Sequence, residues 1–333
     1  MFSIMKSPKI YVNVLIMKRV FSVFFALIST AIAGPISNFE QADKATFGLI
    51  VDGELTGSGF IIDPAGFALT AAHQIALGQA NLYAQSIHLD GERLEVIALD
   101  RGRDVALVKL KDRKTPYPSL KLAARTLTVA QPIYLLATAN YRHNLLLSGR
   151  VARTRGGFEY FQGLGHYVTI TYVSANAPSG TSGGPWLNTS GQVVGMQMGL
   201  MHTGKDTQPA PVGVTYMVPI ADVKALVDER ASIRRPSLRI GLEELWEQDT
   251  DYRQHFPMRR AGLVVARISK ASRAYRAGLR RGHLIVAIDG QRVSYREHFL
   301  KLIRQKRVAD HVTLTLIGKN GPKKTISVVL DGI

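Results

Sequence analysis

The chain has 333 residues, no cysteine, and 42 Lys and Arg against 25 Asp and Glu, a formal net charge of +17. The missing cysteines exclude disulfides and thiolate metal sites, and the length allows two domains with real cores. The basic balance favours acidic partners, but the cations fall in scattered pairs such as Arg234-Arg235, Arg259-Arg260 and Lys323-Lys324. A solvated basic surface is therefore expected, and no nucleic-acid partner.

Residues 1–33 carry Lys6, Lys9, Lys18 and Arg19 and no acid, and Val20 to Ala33 is an apolar run of 14 residues. The run ends Ala31-Ile32-Ala33 before Gly34. A basic start, a short apolar middle and a small-x-small site are the pattern of a secretory signal peptide. A spanning helix needs about 20 apolar residues. Cleavage would leave 300 residues with a net charge of +13, exported to an envelope compartment. Retained, the leader would anchor the chain to a membrane. Met5 and Met17 are alternative starts.

From Phe47 to Val218 the chain reads as short strands. They are Phe47–Val51, Gly59–Ile62, Leu94–Leu99, Val105–Leu110, Ile133–Ala137, Leu145–Val151, Tyr167–Val173, Gln192–Gln197 and Gly213–Val218. All are rich in β-branched, aromatic and aliphatic residues, with Gly, Asn and Asp between them. Many short strands at this spacing predict a sandwich or barrel. A helix after Pro219 closes this domain at residue 230, and residues 231–237 read as a polar linker. In 238–333, strands are predicted at Leu263–Ile268, Leu284–Ile288, His311–Ile317 and Thr325–Leu330, and helices at Ser272–Ala277 and Tyr295–Arg304. Thr154–His166 and Leu200–Pro211 read as long polar loops, the expected mobile segments.

Three segments carry chemistry. Thr70-Ala71-Ala72-His73 comes first, then Arg103-Asp104-Val105-Ala106-Leu107, then Gly180-Thr181-Ser182-Gly183-Gly184-Pro185. A hydroxyl is a poor nucleophile near neutral pH. It needs a base to take its proton and a carboxylate to hold that base in the right tautomer. His73, Asp104 and Ser182 supply all three in the order His, Asp, Ser. The N–H groups of Gly180 and Ser182 are the expected oxyanion donors. Asn176, Met198 and Gly199 are expected in the pocket for the residue before the cleaved bond. None is charged, so small or medium apolar residues are expected there. No metal-ligand spacing is present, and no metal or cofactor is expected.

These motifs resemble the HtrA (Deg-type) family, a trypsin-like protease domain followed by a PDZ domain. Gly57-Ser58-Gly59-Phe60-Ile61-Ile62 resembles the opening barrel strand, and Ala277-Gly278-Leu279 through Ile288-Asp289-Gly290 resembles the PDZ pattern. The resemblance implies a mainly β fold, a chymotrypsin-like double β-barrel followed by an α+β PDZ domain. It implies a serine endopeptidase acting on unfolded polypeptides, a peptide effector at the PDZ domain, and homotrimers. Arg260, Ala261, Gly262 and Leu263 occupy the place of the carboxylate-binding loop, with Leu263–Ile268 pairing to the peptide. Thr181 departs from the family's usual Asn or Asp, Ala72 from its Asn, and one PDZ domain is present where some members carry two. The competing readings are a non-catalytic PDZ scaffold and a membrane-tethered envelope sensor protease.

Overall fold

The computed structural model describes residues 36–75, 81–124, 127–203, 210–256, 261–319 and 321–333. The leader and Arg260 lie outside the described residues, as do residues 204–209 of the second expected loop.

Six strands form the first closed barrel: β1 (Thr46–Val51), β2 (Glu54–Ile61), β3 (Phe67–Ala71), β4 (Leu82–Ser86), β5 (Leu89–Asp100) and β6 (Val105–Leu110). Six more form the second: β7 (Pro132–Ala139), β8 (Arg142–Phe161), β9 (His166–Ser174), β10 (Pro185–Leu187), β11 (Val193–His202) and β12 (Pro211–Pro219). Closure leaves no free strand edges. Phe47, Phe60, Leu69 and Leu107 fill the first barrel, and Ile133, Leu135 and Trp186 the second. The helix Ile220–Glu229 follows, burying Val223 and Leu226.

The C-terminal sheet runs in the order Ile240–Glu244, Leu263–Ile268, Leu284–Ile288, His311–Ile317, Lys323–Val329. The helix Arg296–Arg304 buries Phe299, Leu300 and Ile303 beside it. Leu263–Ile268 is an inner strand, paired with Ile240–Glu244 on one side and at Leu263–Val264 with Leu284–Ile285 on the other. Its place bears on the expected groove: at Leu263–Val264 both sides of the strand are already paired, which leaves no room there for an added peptide strand. The edge strands of the sheet are Ile240–Glu244 and Lys323–Val329, and Ile240–Glu244 has too short an apolar run to stand out in the sequence.

Two other expectations change. Thr154–Phe161 is not a loop but the second half of β8, laddered against β9 from Gly157↔Ile170 to Phe161↔His166. Gly156-Gly157 suggested a loop, yet they sit at an irregularity in the ladder. At Gly157 a Cβ would come within 2.6 Å of the Tyr172 ring. The 231–237 segment is also firmly held. Arg235 clamps the fully buried Asp100 through two hydrogen bonds of 2.9 and 2.7 Å. Ile233 N–H donates to Leu99 O, and Pro236-Ser237 pairs with Asp331-Gly332.

Candidate active site

The two barrels meet at Ser58. Its hydroxyl donates to Gly180 O at 2.7 Å and accepts from Thr138 N–H at 2.9 Å. Its N–H donates to Ser182 O at 2.7 Å, and its carbonyl accepts from Thr70 Oγ1 at 2.7 Å. One buried serine of β2 thus ties β3, β7 and the Gly180–Gly184 turn together. Nothing in the sequence beyond the Gly57-Ser58-Gly59 pattern marked it.

Gly180 and Gly183 have φ of 90° and 88°. Side chains rarely adopt this region, and a Cβ on Gly183 would lie 2.2 Å from Ser58 O. Gly183 lets the turn press against the first barrel, and Gly180 lets it approach Thr138 O of β7, 2.7 Å from where a Cβ would stand. Thr181 closes the turn from inside, its hydroxyl donating to Pro178 O at 2.7 Å. Among the described residues, the N–H groups of Gly180 and Ser182 have no hydrogen-bond partner. Ser179 O is engaged by Asn140 N–H at 3.0 Å.

Asp104 is completely buried between β5 and β6, at a positive φ of 60°. Such values are uncommon outside glycine, although Asp tolerates them better than most residues. Its carboxylate accepts the backbone N–H of His73 at 2.7 Å and faces His73 Nδ1 at 2.7 Å. Burial opposes charge on the imidazole, but Asp104's charge and hydrogen bond outweigh it and hold His73 above the usual histidine value. With the proton on Nδ1, Nε2 keeps its lone pair, the tautomer a general base requires.

The third link is not made. Ser182 Oγ donates to Met198 O at 2.9 Å, and His73 Nε2 faces the side-chain nitrogen of Gln74 at 2.8 Å. The Phe161 ring lies 6.0 Å from the His73 ring, and its tip stands over Gly199. Of the expected pocket residues, Gly199 faces Phe161 and exposed Asn176 lies beside Gly213. Met198 is a correction: its side chain is buried in the core and offers only its carbonyl. Behind Gly199, Gln197 Nε2 donates to Gly199 O and Thr215 Oγ1, and Trp186 Nε1 donates to Gln197 Oε1.

The β8–β9 ladder joins this site to the C-terminal domain. Successive side chains on a strand face opposite ways. Phe161 and His166 point to the first barrel, where His166 Nε2 reaches Arg101 O at 2.9 Å. On the other face, Phe158 and Tyr167 pack in the core of the C-terminal domain. Tyr167's hydroxyl donates to Leu242 O at 2.9 Å and accepts Leu242 N–H at 2.7 Å. A tyrosine hydroxyl thus occupies backbone groups of the edge strand. Arg153 pairs with Glu297 nearby.

Comparisons with known proteins bear on the two domains and their fold. Residues 57–196 match the trypsin-like peptidase domain family, and residues 264–317 match the PDZ domain family. The chain is 27% identical over 271 residues to serine protease HTRA1 of Xenopus laevis, covering 75% of this chain and 55% of that protein. It is 26% identical over 250 residues to a probable periplasmic serine endoprotease DegP-like of Chlamydia pneumoniae, covering 71% and 47%. The chain spans about half the length of these relatives. Its fold is similar to the solved structure titled HtrA-type protease AlgW with decapeptide, at 16% identity and a TM-score of 0.62, covering 88% of this chain and 97% of that one.

Proposed function

For a chain that belongs with the HtrA-type trypsin-like serine proteases and carries a PDZ domain, we propose an exported serine endopeptidase of the bacterial envelope. It cleaves unfolded polypeptides by a Ser-His-Asp acyl-enzyme mechanism. The observation that carries this reading is His73, held in the base's tautomer by a fully buried Asp104 beside the glycine turn that presents Ser182.

In the reaction, Ser182 Oγ turns from Met198 O to His73 Nε2 and gives up its proton as it attacks the peptide carbonyl. The N–H groups of Gly180 and Ser182 receive the oxyanion. Losing one such donor typically costs on the order of 100–1,000-fold in rate. Asp104 stabilises the imidazolium, and His73 passes the proton to the leaving amine. Water then releases the acyl group by the same route. The described arrangement is a resting one, because Gln74 holds the base and Phe161 covers Gly199.

Peptide recognition belongs at the free edge of Ile240–Glu244, beside the helix Arg296–Arg304, in place of the Tyr167 hydroxyl. Strand addition supplies main-chain hydrogen bonds there. Resemblance to the family supports self-association as trimers. The broken Ser182–His73 link favours a second reading, a non-catalytic PDZ scaffold. Labelling by a serine-reactive phosphonate separates the two. The protease reading requires labelling of the purified chain and none of Ser182→Ala, with casein cleavage lost and the thermal transition nearly unchanged. An unlabelled wild type leaves the scaffold.

A further inference from the structure

Where the first barrel, the connecting segment and the PDZ helix meet, the chain borders an open pocket of about 790 Å³. Its walls are strongly cationic. Arg103 comes from the turn that holds Asp104, Arg234 and Arg235 from the connecting segment, and Lys301, Arg304 and Arg307 from the PDZ helix and the turn after it. Lys306 stands at the same wall, and Asp222 is the one carboxylate among the lining residues.

Part of this charge is matched. Arg103 pairs with Asp222 at 3.2 Å, Arg235 with Asp100 at 2.7 Å, and Lys306 with Asp289 at 2.6 Å. Among the described residues, Arg234, Lys301, Arg304 and Arg307 make no ion pair. Arg304 is the most constrained. Its Nη2 donates to Gly102 O and Tyr167 O, while its Nη1 is shielded from water and has no hydrogen-bond partner. A buried guanidinium nitrogen left unpaired is costly, and burial without enough counter-charge lowers the Arg304 pKa to about 10.

Arg234, Lys301 and Arg307 are exposed around one concave space, with the largely buried Arg304 in its wall. The cavity is in the size range of small-molecule sites. Arginine forks match the tetrahedral oxygens of a phosphoryl group two at a time. We propose that this interdomain cavity binds a small soluble polyanion carrying closely spaced phosphoryl groups. The three exposed cations, Arg234, Lys301 and Arg307, suit a linear triphosphate, whose several charges sit within a few bonds of one another. Such a ligand would touch the barrel, the connecting segment and the PDZ domain together. The site lies apart from Ser182, so the inference does not depend on proteolysis.

The test is calorimetric titration of the full chain with sodium tripolyphosphate at physiological salt, where diffuse surface attraction is screened. One saturable site is expected. The triple variant Arg234→Gln/Lys301→Gln/Arg307→Gln should weaken it at least about tenfold, because each lost charge-assisted contact is among the stronger hydrogen bonds. Arg281→Gln/Lys323→Gln/Lys324→Gln removes the same charge away from the cavity and should leave the affinity within about twofold, as net charge alone acts weakly at this salt. Equal weakening by both variants, no saturable binding, or equally tight binding of citrate would each overturn the proposal. Circular dichroism of the first variant guards against misfolding. A variant that does not fold is replaced by Arg307→Gln alone, read against Lys323→Gln.

Discussion

The side-chain nitrogen of Gln74 sits 2.8 Å from His73 Nε2, on the lone pair that Ser182 needs. Base and competitor are neighbours in the chain, on a single 3₁₀ turn from Ala72 to Gln74. Each turnover must break this contact before the serine can be activated. A net hydrogen bond is worth about 0.5–1.5 kcal/mol. We therefore expect Gln74→Val to raise kcat/KM on a short chromogenic peptide by about two- to tenfold. An unchanged or lower rate would show that Gln74 supports the base and does not compete for it.

His73 is held above the usual histidine value by Asp104. Activity requires the neutral ring, so kcat/KM should rise with pH through a midpoint above about 6.5. Stability moves the other way. A raised folded pKa gives stabilisation that is full below the unfolded value and is lost as pH rises through the folded one. Thermal melts of wild type and His73→Ala should therefore converge as the pH climbs from 6 to 8. A rate that is flat over this window, in folded protein, rules out His73 as the base.

Ser58 makes four hydrogen bonds, two of them through its hydroxyl. Ser58→Ala leaves the Thr138 N–H and the Gly180 carbonyl unpaired in a buried place, at a cost of about 1–3 kcal/mol for each such group. Denaturant unfolding should show the loss. Activity should fall further than stability explains at temperatures where the protein is folded, because the N–H of the same Gly180 is the proposed oxyanion donor. Full activity in the folded variant would show that the turn holds its shape without this stitch.

Tyr167→Phe removes both hydrogen bonds to Leu242 and leaves the ring in place. The Leu242 N–H then becomes available to an added strand, while Leu242 O keeps the hydrogen bond from Arg296 Nη1 at 3.1 Å. Anisotropy titration with a fluorescent apolar C-terminal peptide should show about three- to tenfold tighter binding, the scale of one or two released bonds. No gain in affinity would place the peptide site elsewhere on the domain.

The two barrels and the C-terminal domain were legible because their strands are apolar, short and separated by turn residues. Leu263–Ile268, Leu284–Ile288 and His311–Ile317 occupy the residues expected for them. His73 and Asp104 come together because two specific local frames, Thr-Ala-Ala-His and Arg-Asp-Val-Ala, place them on neighbouring barrel turns. What could not be read was pairing. Whether Leu263–Ile268 is an edge or an inner strand depends on Ile240–Glu244, whose five residues carry two glutamates. The run Phe158-Glu159-Tyr160-Phe161 has the aromatic content of a strand, but the preceding glycine pair masked it. The rotamers of Ser182 and Gln74 follow from tertiary contacts that no local pattern encodes.

The β8–β9 ladder has one more consequence. Tyr160 and Tyr167 are cross-strand partners with rings 5.2 Å apart, and Phe161 pairs with His166 at the next position. The plug in the PDZ edge and the cover over Gly199 are therefore adjacent rungs of one stiff ribbon. We expect a substitution that frees one end to shift the other, so that peptide affinity and basal proteolysis change together. Variants of Phe158, Tyr160, Phe161 and Tyr167 should fall on one line when the two quantities are plotted as logarithms.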